Sequence, residues 1–237
     1  MRYTRMVNAY RYKASKSSDD GLWNRVGNIG DCIQALAVEN IYGKLGIADN
    51  ELVHVNRDEI PDYGGEPCLL PMQAWFGNYS GVFPLPWSDH IKPVFIGFHL
   101  SVVGDTRKRF VAEGIDERMK RFEPIGCRDR NTAEFLHSRG IDAYFSGCLT
   151  LTFDARKSEP VDGKIFAVDI SRRVRRVLPK SIVRQVDYSI THLYPFREYP
   201  VSDEEAADFE KTARIILERY RTEAKAVITS RYNAPRF

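Results

Sequence analysis

Short apolar runs alternate along the chain with stretches of helical periodicity, and this alternation limits the possible folds more than any other feature. Runs that are apolar on both faces are typical of strands buried on both sides, and strands separated by helices pair in parallel. The sequence therefore predicts an α/β fold with parallel sheets. The predicted strands are Leu52–Val55, Val94–Phe98, Ile125–Arg128, Ala143–Phe145, Ile165–Asp169, Val186–Thr191 and Ala226–Thr229.

Helix boundaries are marked by residues that favour helix ends. Gly46 and Gly140 each follow an amphipathic stretch, where glycine stops a helix. Ser202 and Glu205 have the spacing of a capping box, which opens a helix. The predicted helices are Asp31–Leu45, Asn131–Arg139 and Asp203–Arg221.

Two segments interrupt the alternation. Residues 61–87 are rich in proline, glycine and aromatic residues, which predicts a long ordered excursion without regular elements. Residues 154–163 are polar and rich in turn formers, which predicts a domain boundary. We therefore expect an N-terminal domain over residues 1–158 and a C-terminal domain over residues 159–237.

Composition narrows the functional classes. With 43% hydrophobic residues the 237-residue chain can bury a core, and a net charge of +3 is too small to indicate nucleic-acid binding. The four cysteines form no C-x-x-C pair, which argues against zinc-ribbon and thioredoxin-like sites. The sequence has neither a signal-peptide pattern nor an apolar stretch long enough for a membrane span. We expect a cytoplasmic protein with reduced thiols and no bound metal.

Ligands of parallel sheets bind at the carboxyl ends of the strands, so residues just after strands are the first candidates. Asn28, Gly30 and Asp31 open the first helix, whose free N–H groups can hold an anion or a sugar hydroxyl. The alternative is that Asp31 only caps the helix. Arg128 follows a strand and can grip a carboxylate or phosphate. Alternatively, it forms a structural pair with Asp129, which is also a candidate cap for the next helix.

Further candidates follow other strands. Ser146 can bind a ligand through its hydroxyl or belong to a structural turn. The basic run at residues 172–176 either gathers anions or is a solvated face. His192 is either an acid–base group or a structural histidine. The last predicted strand brings Arg231 to the same edge as Arg128, and two converging arginines suit a dianionic donor.

Several blocks together resemble the polysaccharide pyruvyl transferase family. Asn28-Ile29-Gly30-Asp31, followed by Gln34-Ala35, is similar to the family's Asn-x-Gly-Asp opening. The blocks 125–129 and 145–150 resemble the bacterial branch labelled exopolysaccharide-V-like. Thr229-Ser230-Arg231 resembles the start of the family's Thr-Ser-Arg-Leu-His motif. The resemblance spans most of the chain.

The resemblance implies two Rossmann-like domains with parallel sheets, arranged as in glycosyltransferase-B enzymes. It implies transfer of pyruvyl from phosphoenolpyruvate to a pair of sugar hydroxyls as a ketal, in exopolysaccharide or capsule biosynthesis. Arg128 and Arg231 would hold the donor, and Asp31 would position or deprotonate the acceptor. Phosphoenolpyruvate is a substrate here, and no cofactor is implied. The expected partners are a sugar or lipid-linked oligosaccharide and a second copy of the chain.

The sequence departs from the family pattern near its end. Tyr232-Asn233 stands where the family has Leu-His, and an amide cannot transfer protons near neutral pH. His192 is one candidate to take over that role. Family members also continue beyond the position of Phe237, so we expect an incomplete second domain. Two alternatives stay open: a catalytically impaired glycan- or anion-binding remnant, and a nucleotide-sugar glycosyltransferase.

Overall fold

The computed structural model describes residues 2–7, 26–77, 83–197 and 201–229. The strands are β1 Arg2–Val7, β2 Val26–Asn28, β3 Leu52–Asn56, β4 Cys68–Pro71, β5 Trp75–Phe76, β6 Ile91–Val94, β7 His99–Leu100, β8 Ile125–Cys127, β9 Ala143–Phe145, β10 Lys164–Val168, β11 Val186–Ile190, β12 Leu193–Pro195 and β13 Ala224–Thr229. The helices are α1 Ile29–Lys44, α2 Thr106–Ala112, α3 Ile115–Met119, α4 Arg130–Ser138, α5 Arg172–Val177, α6 Lys180–Val183 and α7 Asp203–Glu223.

The N-terminal part of the chain builds a parallel sheet. Its first four strands have the order β3-β1-β4-β6. Beyond β6 lies the parallel pair β5-β7, and a parallel bridge between Phe98 and Cys127 connects it to β8. Arg128 N–H donates to the Phe98 carbonyl at 2.8 Å, and β8 pairs in parallel with β9. The carboxyl ends of these strands therefore lie along one edge.

The C-terminal part builds a second parallel sheet with the order β11-β10-β13. Helix α7 covers it, with Tyr220 packed edge-on against Phe166. A short antiparallel ribbon, β2-β12, ties the entry to α1 to the end of the second sheet. The predicted α/β class with parallel sheets is confirmed. The division into two domains at residue 158 stays a prediction.

The predicted bounds of the strand Val94–Phe98 are wrong. The strand β6 is Ile91–Val94, and pairing resumes at the bridge of Phe98 and at β7. The cause is Gly97, whose φ of 66° is left-handed and cannot continue an extended strand. Strand β7 then begins at His99, next to the bridge between Phe98 and Cys127.

Several strands were not predicted from the sequence. The excursion predicted for residues 61–87 contains β4 and β5, and β4 lies inside the first sheet. The three-residue apolar run between Pro67 and Pro71 is too short to give a clear strand signal. The sequence pattern does not predict strand β1, because Arg2 and Arg5 interrupt its apolar residues, although Arg5 is buried.

Most predicted helix ends are confirmed. Gly46 and Gly140 follow α1 and α4 with left-handed φ values of 79° and 72°. The Ser202 hydroxyl accepts from Glu205 N–H and caps α7. The alternative that Asp31 caps α1 is wrong, because the helix begins two residues earlier than predicted. The cap is Asn28, whose side chain accepts from Gly30 N–H at 3.1 Å.

Helix α1 packs on both halves of the molecule. Its first ten residues are all buried, in contrast to the single apolar face of a surface helix. On one side Ile29 and Ile33 share a core with Phe209 and Ala213 of α7. On the other side the Gln73 amide, beyond β4, donates to the Gln34 carbonyl at 2.9 Å. The helix therefore fixes its own N-terminus against the first sheet and against α7.

A buried charge network reinforces this packing. Arg5 of β1 has only 2% of its side chain exposed and lies 3.3 Å from Glu39 of α1 and 3.0 Å from Glu210 of α7. Arg214 pairs with the same two carboxylates, at 2.6 and 2.8 Å. Burial alone raises the pKa of Glu210, but the charges and hydrogen bonds of Arg5 and Arg214 outweigh it and lower that pKa. The network thus joins one strand and two helices.

We expect Arg5→Met to lower the free energy of unfolding by about 3 kcal/mol, because removing one member of a buried ion pair typically costs about 3–5 kcal/mol. The lower end applies because Arg214 still pairs with both glutamates. Urea unfolding measures the change. The matched control is Arg2→Met on the same strand, whose exposed pair with Glu66 contributes less than about 1 kcal/mol. Equal losses in the two variants would contradict a structural role for the network.

Candidate functional site

The carboxyl ends of both sheets meet at the first two turns of α1. Ile29 N–H donates to the carbonyl of His192, just beyond β11, at 2.8 Å. Five residues later, the Gln34 side chain accepts from Arg128, just beyond β8. Five residues of helix span about 7.5 Å, so the two contacts lie about that far apart along the axis of α1. Parallel sheets bind ligands at this edge.

Asp31, Gln34 and Arg128 form a hydrogen-bonded chain at this point. The Gln34 Nε2 donates to Asp31 Oδ1 at 3.1 Å, and Gln34 Oε1 accepts from Arg128 Nη1 at 2.5 Å. Gln34 is fully buried and Asp31 is 6% exposed, so these polar groups need partners. Among the described residues, the other guanidinium N–H groups of Arg128 make no hydrogen bond. A half-buried guanidinium with donors to spare can bind an anion.

Some residues at the start of α1 have a structural role. Asn28 caps α1 through Gly30 N–H, so both residues hold the helix start. Gly27 faces the rings of Phe196 and Phe209, where a Cβ atom would come within 2.8 and 2.9 Å. A larger residue at this position would require both rings to move. The predicted ligand contacts of Asn28 and Gly30 stay predictions.

Ser146 lies in a turn after β9. Its hydroxyl accepts from Gly97 N–H and donates to the Cys127 carbonyl, both at 3.1 Å. Gly147 has a left-handed φ of 73°. These contacts favour the structural alternative for Ser146, since they bind the turn to β8 and to the break before β7. Its role in substrate binding stays a prediction.

His192 is fully buried, and its Nε2 lies 2.7 Å from the Tyr220 hydroxyl. Its backbone N–H donates to Asp169 Oδ2 at 3.0 Å, and the Thr191 hydroxyl donates to Asp169 Oδ1 at 2.7 Å. Asp169 itself has a φ of 48°, which is a strained value for a residue with a side chain. This arrangement favours the structural alternative for His192. Its predicted acid–base role is not tested.

Asp129 caps α4 by accepting from Thr132 N–H at 2.9 Å, as one alternative predicted. Its side-chain partner is His99, whose Nδ1 lies 2.5 Å from Asp129 Oδ2, and no arginine is bonded to Asp129 in the described ranges. Burial alone raises the pKa of Asp129. Hydrogen bonds from His99 and Thr132 and the charge of His99 outweigh burial and lower this pKa to about 2.

The structure describes only some of the remaining predicted site residues. The basic run forms α5, whose arginines are exposed, as the solvated-face alternative predicted. Arg231 and Asn233 lie outside the described residues. Thr229, the end of β13, pairs with Val168 of β10. The convergence of Arg128 and Arg231 therefore stays a prediction.

Three other features of the described residues are less suited to a functional site: a groove, the cysteines and the possible metal ligands. A groove of about 860 Å³ lies at the far end of α1, but its charged residues Lys44 and Asp154 already pair with each other at 2.8 Å. All four cysteines are free thiols, and burial raises the pKa of Cys32 and Cys127 to about 12. Within the described ranges, no cluster of His, Cys, Asp and Glu side chains suits a metal ion.

Three residues at the site escaped sequence-based prediction as functional groups. Gln34 appeared only within the family-like opening, since its link to Arg128 depends on how α1 packs. Asp169 ends a predicted strand, and its strained backbone has no sequence signal. His99 had a usable signal, because it directly follows the predicted strand Val94–Phe98.

The fold and the site define an α/β protein that can bind an anionic ligand where two parallel sheets meet. The family model described as polysaccharide pyruvyl transferase matches residues 28–236. The chain belongs to the polysaccharide pyruvyl transferase family. No curated protein and no solved structure matches it. In the described part of the chain, no helix is long and apolar enough to cross a membrane.

We expect the stability difference between the wild type and Asp129→Asn to depend on acid pH. The ionised carboxylate stabilises the fold fully above its unfolded pKa, near 4. That contribution falls as the pH drops towards the folded pKa of about 2. Urea unfolding of both proteins between pH 6 and pH 2.5 should show a difference that shrinks below about pH 4. A difference that stays constant over this range would mean that the carboxylate charge contributes nothing.

Proposed function

We propose that this protein transfers the pyruvyl group of phosphoenolpyruvate to two hydroxyls of a sugar, forming a cyclic ketal in exopolysaccharide or capsule biosynthesis. The acceptor is a sugar or a lipid-linked oligosaccharide, and the reaction takes place in the cytoplasm. Family membership supports the reaction class. The observation that carries the proposal is the chain from Asp31 through Gln34 to Arg128, which puts a carboxylate and a guanidinium at one strand edge.

The reaction needs both of these groups. Phosphoenolpyruvate carries a carboxylate and a phosphate, and Arg128 has donors for either one. Asp31 lies one side chain away from Arg128, so it is suited to position or deprotonate the acceptor hydroxyl. We further propose that Arg231 holds the second anionic group, because β13 ends at the same edge as β10. Arginine pairs of this kind stabilise the charge that develops on a departing phosphate.

We expect Arg128→Gln to weaken phosphoenolpyruvate binding roughly 10- to 100-fold, because hydrogen bonds to charged groups contribute about 1.5–3 kcal/mol. Isothermal titration calorimetry with phosphoenolpyruvate measures the dissociation constant. The matched control is Arg130→Gln, two residues further on, where the exposed guanidinium lies over the Phe145 ring. The control should stay within about threefold of the wild type. Equal weakening in both variants would point to general charge attraction instead of a defined contact.

Turnover separates the proposal from its alternatives. We expect wild-type protein to release phosphate from phosphoenolpyruvate in the presence of a nitrophenyl glycoside or lipid-linked sugar. The impaired-remnant alternative rests on Asn233, and it predicts binding without release. Restoration of phosphate release by Asn233→His would count against that alternative. Thermal-shift measurements with nucleotide sugars test the glycosyltransferase alternative, which predicts stabilisation by those ligands and none by phosphoenolpyruvate.

A further inference from the structure

The five histidines of the chain all lie in the described ranges, and they differ sharply in placement. His54 lies within β3, His90 precedes β6, and His137 is in the last turn of α4. None of these three is at the carboxyl edge of a sheet. His192 is at that edge but is fully buried against Tyr220. His99 is at that edge with 23% of its side chain exposed.

His99 is a direct neighbour of Arg128. Phe98 and Cys127 form a parallel bridge, so His99 and Arg128 are the next residues on two adjacent strands. The hydrogen bond from Arg128 N–H to the Phe98 carbonyl, at 2.8 Å, holds them in this register. Adjacent parallel strands lie about 4.8 Å apart. A donor bound by Arg128 is therefore within reach of the His99 ring.

The His99 ring has a fixed orientation. An ionised carboxylate only accepts hydrogen bonds, so His99 Nδ1 carries the proton in its 2.5 Å contact with Asp129. Asp129 is itself held by Thr132, through the backbone N–H at 2.9 Å and the hydroxyl at 2.8 Å. Nε2 makes no hydrogen bond within the described ranges. This is the arrangement in which a carboxylate orients an imidazole for proton transfer at its other nitrogen.

We propose that His99 is the proton-transferring catalytic residue of this protein and that Asp129 positions it. The inference rests on the proposed function and adds a role that neither the family-like motifs nor the sequence-based candidates assign. It also accounts for the proton chemistry that Asn233 cannot supply.

In the first addition a single imidazole both donates a proton and takes one back. The imidazolium gives its Nε2 proton to C3 of the enolpyruvyl group, and the π electron pair forms the new C–H bond. C2 becomes an oxocarbenium centre, which the acceptor hydroxyl oxygen attacks. As the O–C2 bond forms, the hydroxyl proton passes to Nε2, which restores the imidazolium. In the second half Nε2 protonates the bridging phosphate oxygen as its bond to C2 breaks, and an electron pair of the first sugar oxygen stabilises C2 as an oxocarbenium centre. The oxygen of the second hydroxyl then bonds to C2, which completes the ketal, and its proton passes to Nε2.

The test compares His99→Gln and Asp129→Asn with wild type and with the control His137→Gln on the exposed end of α4. We expect both site variants to keep phosphoenolpyruvate affinity within about threefold, since Arg128 is intact. We expect kcat for phosphate release to fall roughly 10²- to 10⁴-fold in His99→Gln, the usual effect of removing an acid–base group. Added imidazole should restore part of the rate in His99→Ala, which a purely structural role would not allow.

The outcomes separate the two proposals. Wild-type turnover with His99→Gln within threefold of wild type overturns the role of His99 and leaves the proposed function intact. Wild-type protein that neither binds phosphoenolpyruvate nor releases phosphate overturns both. Binding without turnover also overturns the role of His99, because no chemistry then occurs. If His99→Gln unfolds, the rate of Asp129→Asn and the imidazole response of a folded His99→Asn variant decide the question.

Discussion

The buried N-terminal half of α1 is the constraint on which the site depends. A helix that is buried on every side must satisfy each polar group it carries, because an unpaired one costs about 1–3 kcal/mol. Gln34 is fully buried, and its amide bonds only fit one rotation of the helix relative to β8. The same rotation brings Ile29 N–H to the His192 carbonyl. One helix thereby sets the positions of groups from both sheets.

Aromatic packing and buried ion pairs both stabilise the position of α1. The rings of Phe196 and Phe209 lie so close to Gly27 that a Cβ atom there would come within 2.8 and 2.9 Å of them. On the other side, Arg5 connects β1 to Glu39 and Glu210 inside the molecule. Buried ion pairs are weak sources of net stability, but they penalise alternative arrangements that leave a charge unpaired. The network therefore contributes more to the placement of α1 and α7 than to overall stability.

The sequence predicts the α/β class well, because helix caps and strand ends are local signals. Helix ends are the example: Gly46 and Gly140 follow helices with left-handed φ values, and Ser202 caps α7. Strand β1 could not be predicted, since the charge of Arg5 is compensated by residues far away in sequence. The same limit applies to the site. Arg128 is marked by its position after a strand, but its bond to Gln34 crosses 94 residues. Contacts of that kind depend on packing, which no local pattern encodes.

Electrostatics explains why an acid–base group beside Arg128 needs its own carboxylate. An imidazolium next to a guanidinium is repelled by it, and the repulsion grows as water is excluded. Asp129 offsets this repulsion at 2.5 Å and is kept ionised by Thr132. On the proposal made above, Arg128 would hold an anion and His99 would supply a proton from the neighbouring position across the bridge of Phe98 with Cys127. On this proposal the amide of Asn233 is no defect, because the proton chemistry lies on the first sheet and residue 233 only has to form hydrogen bonds.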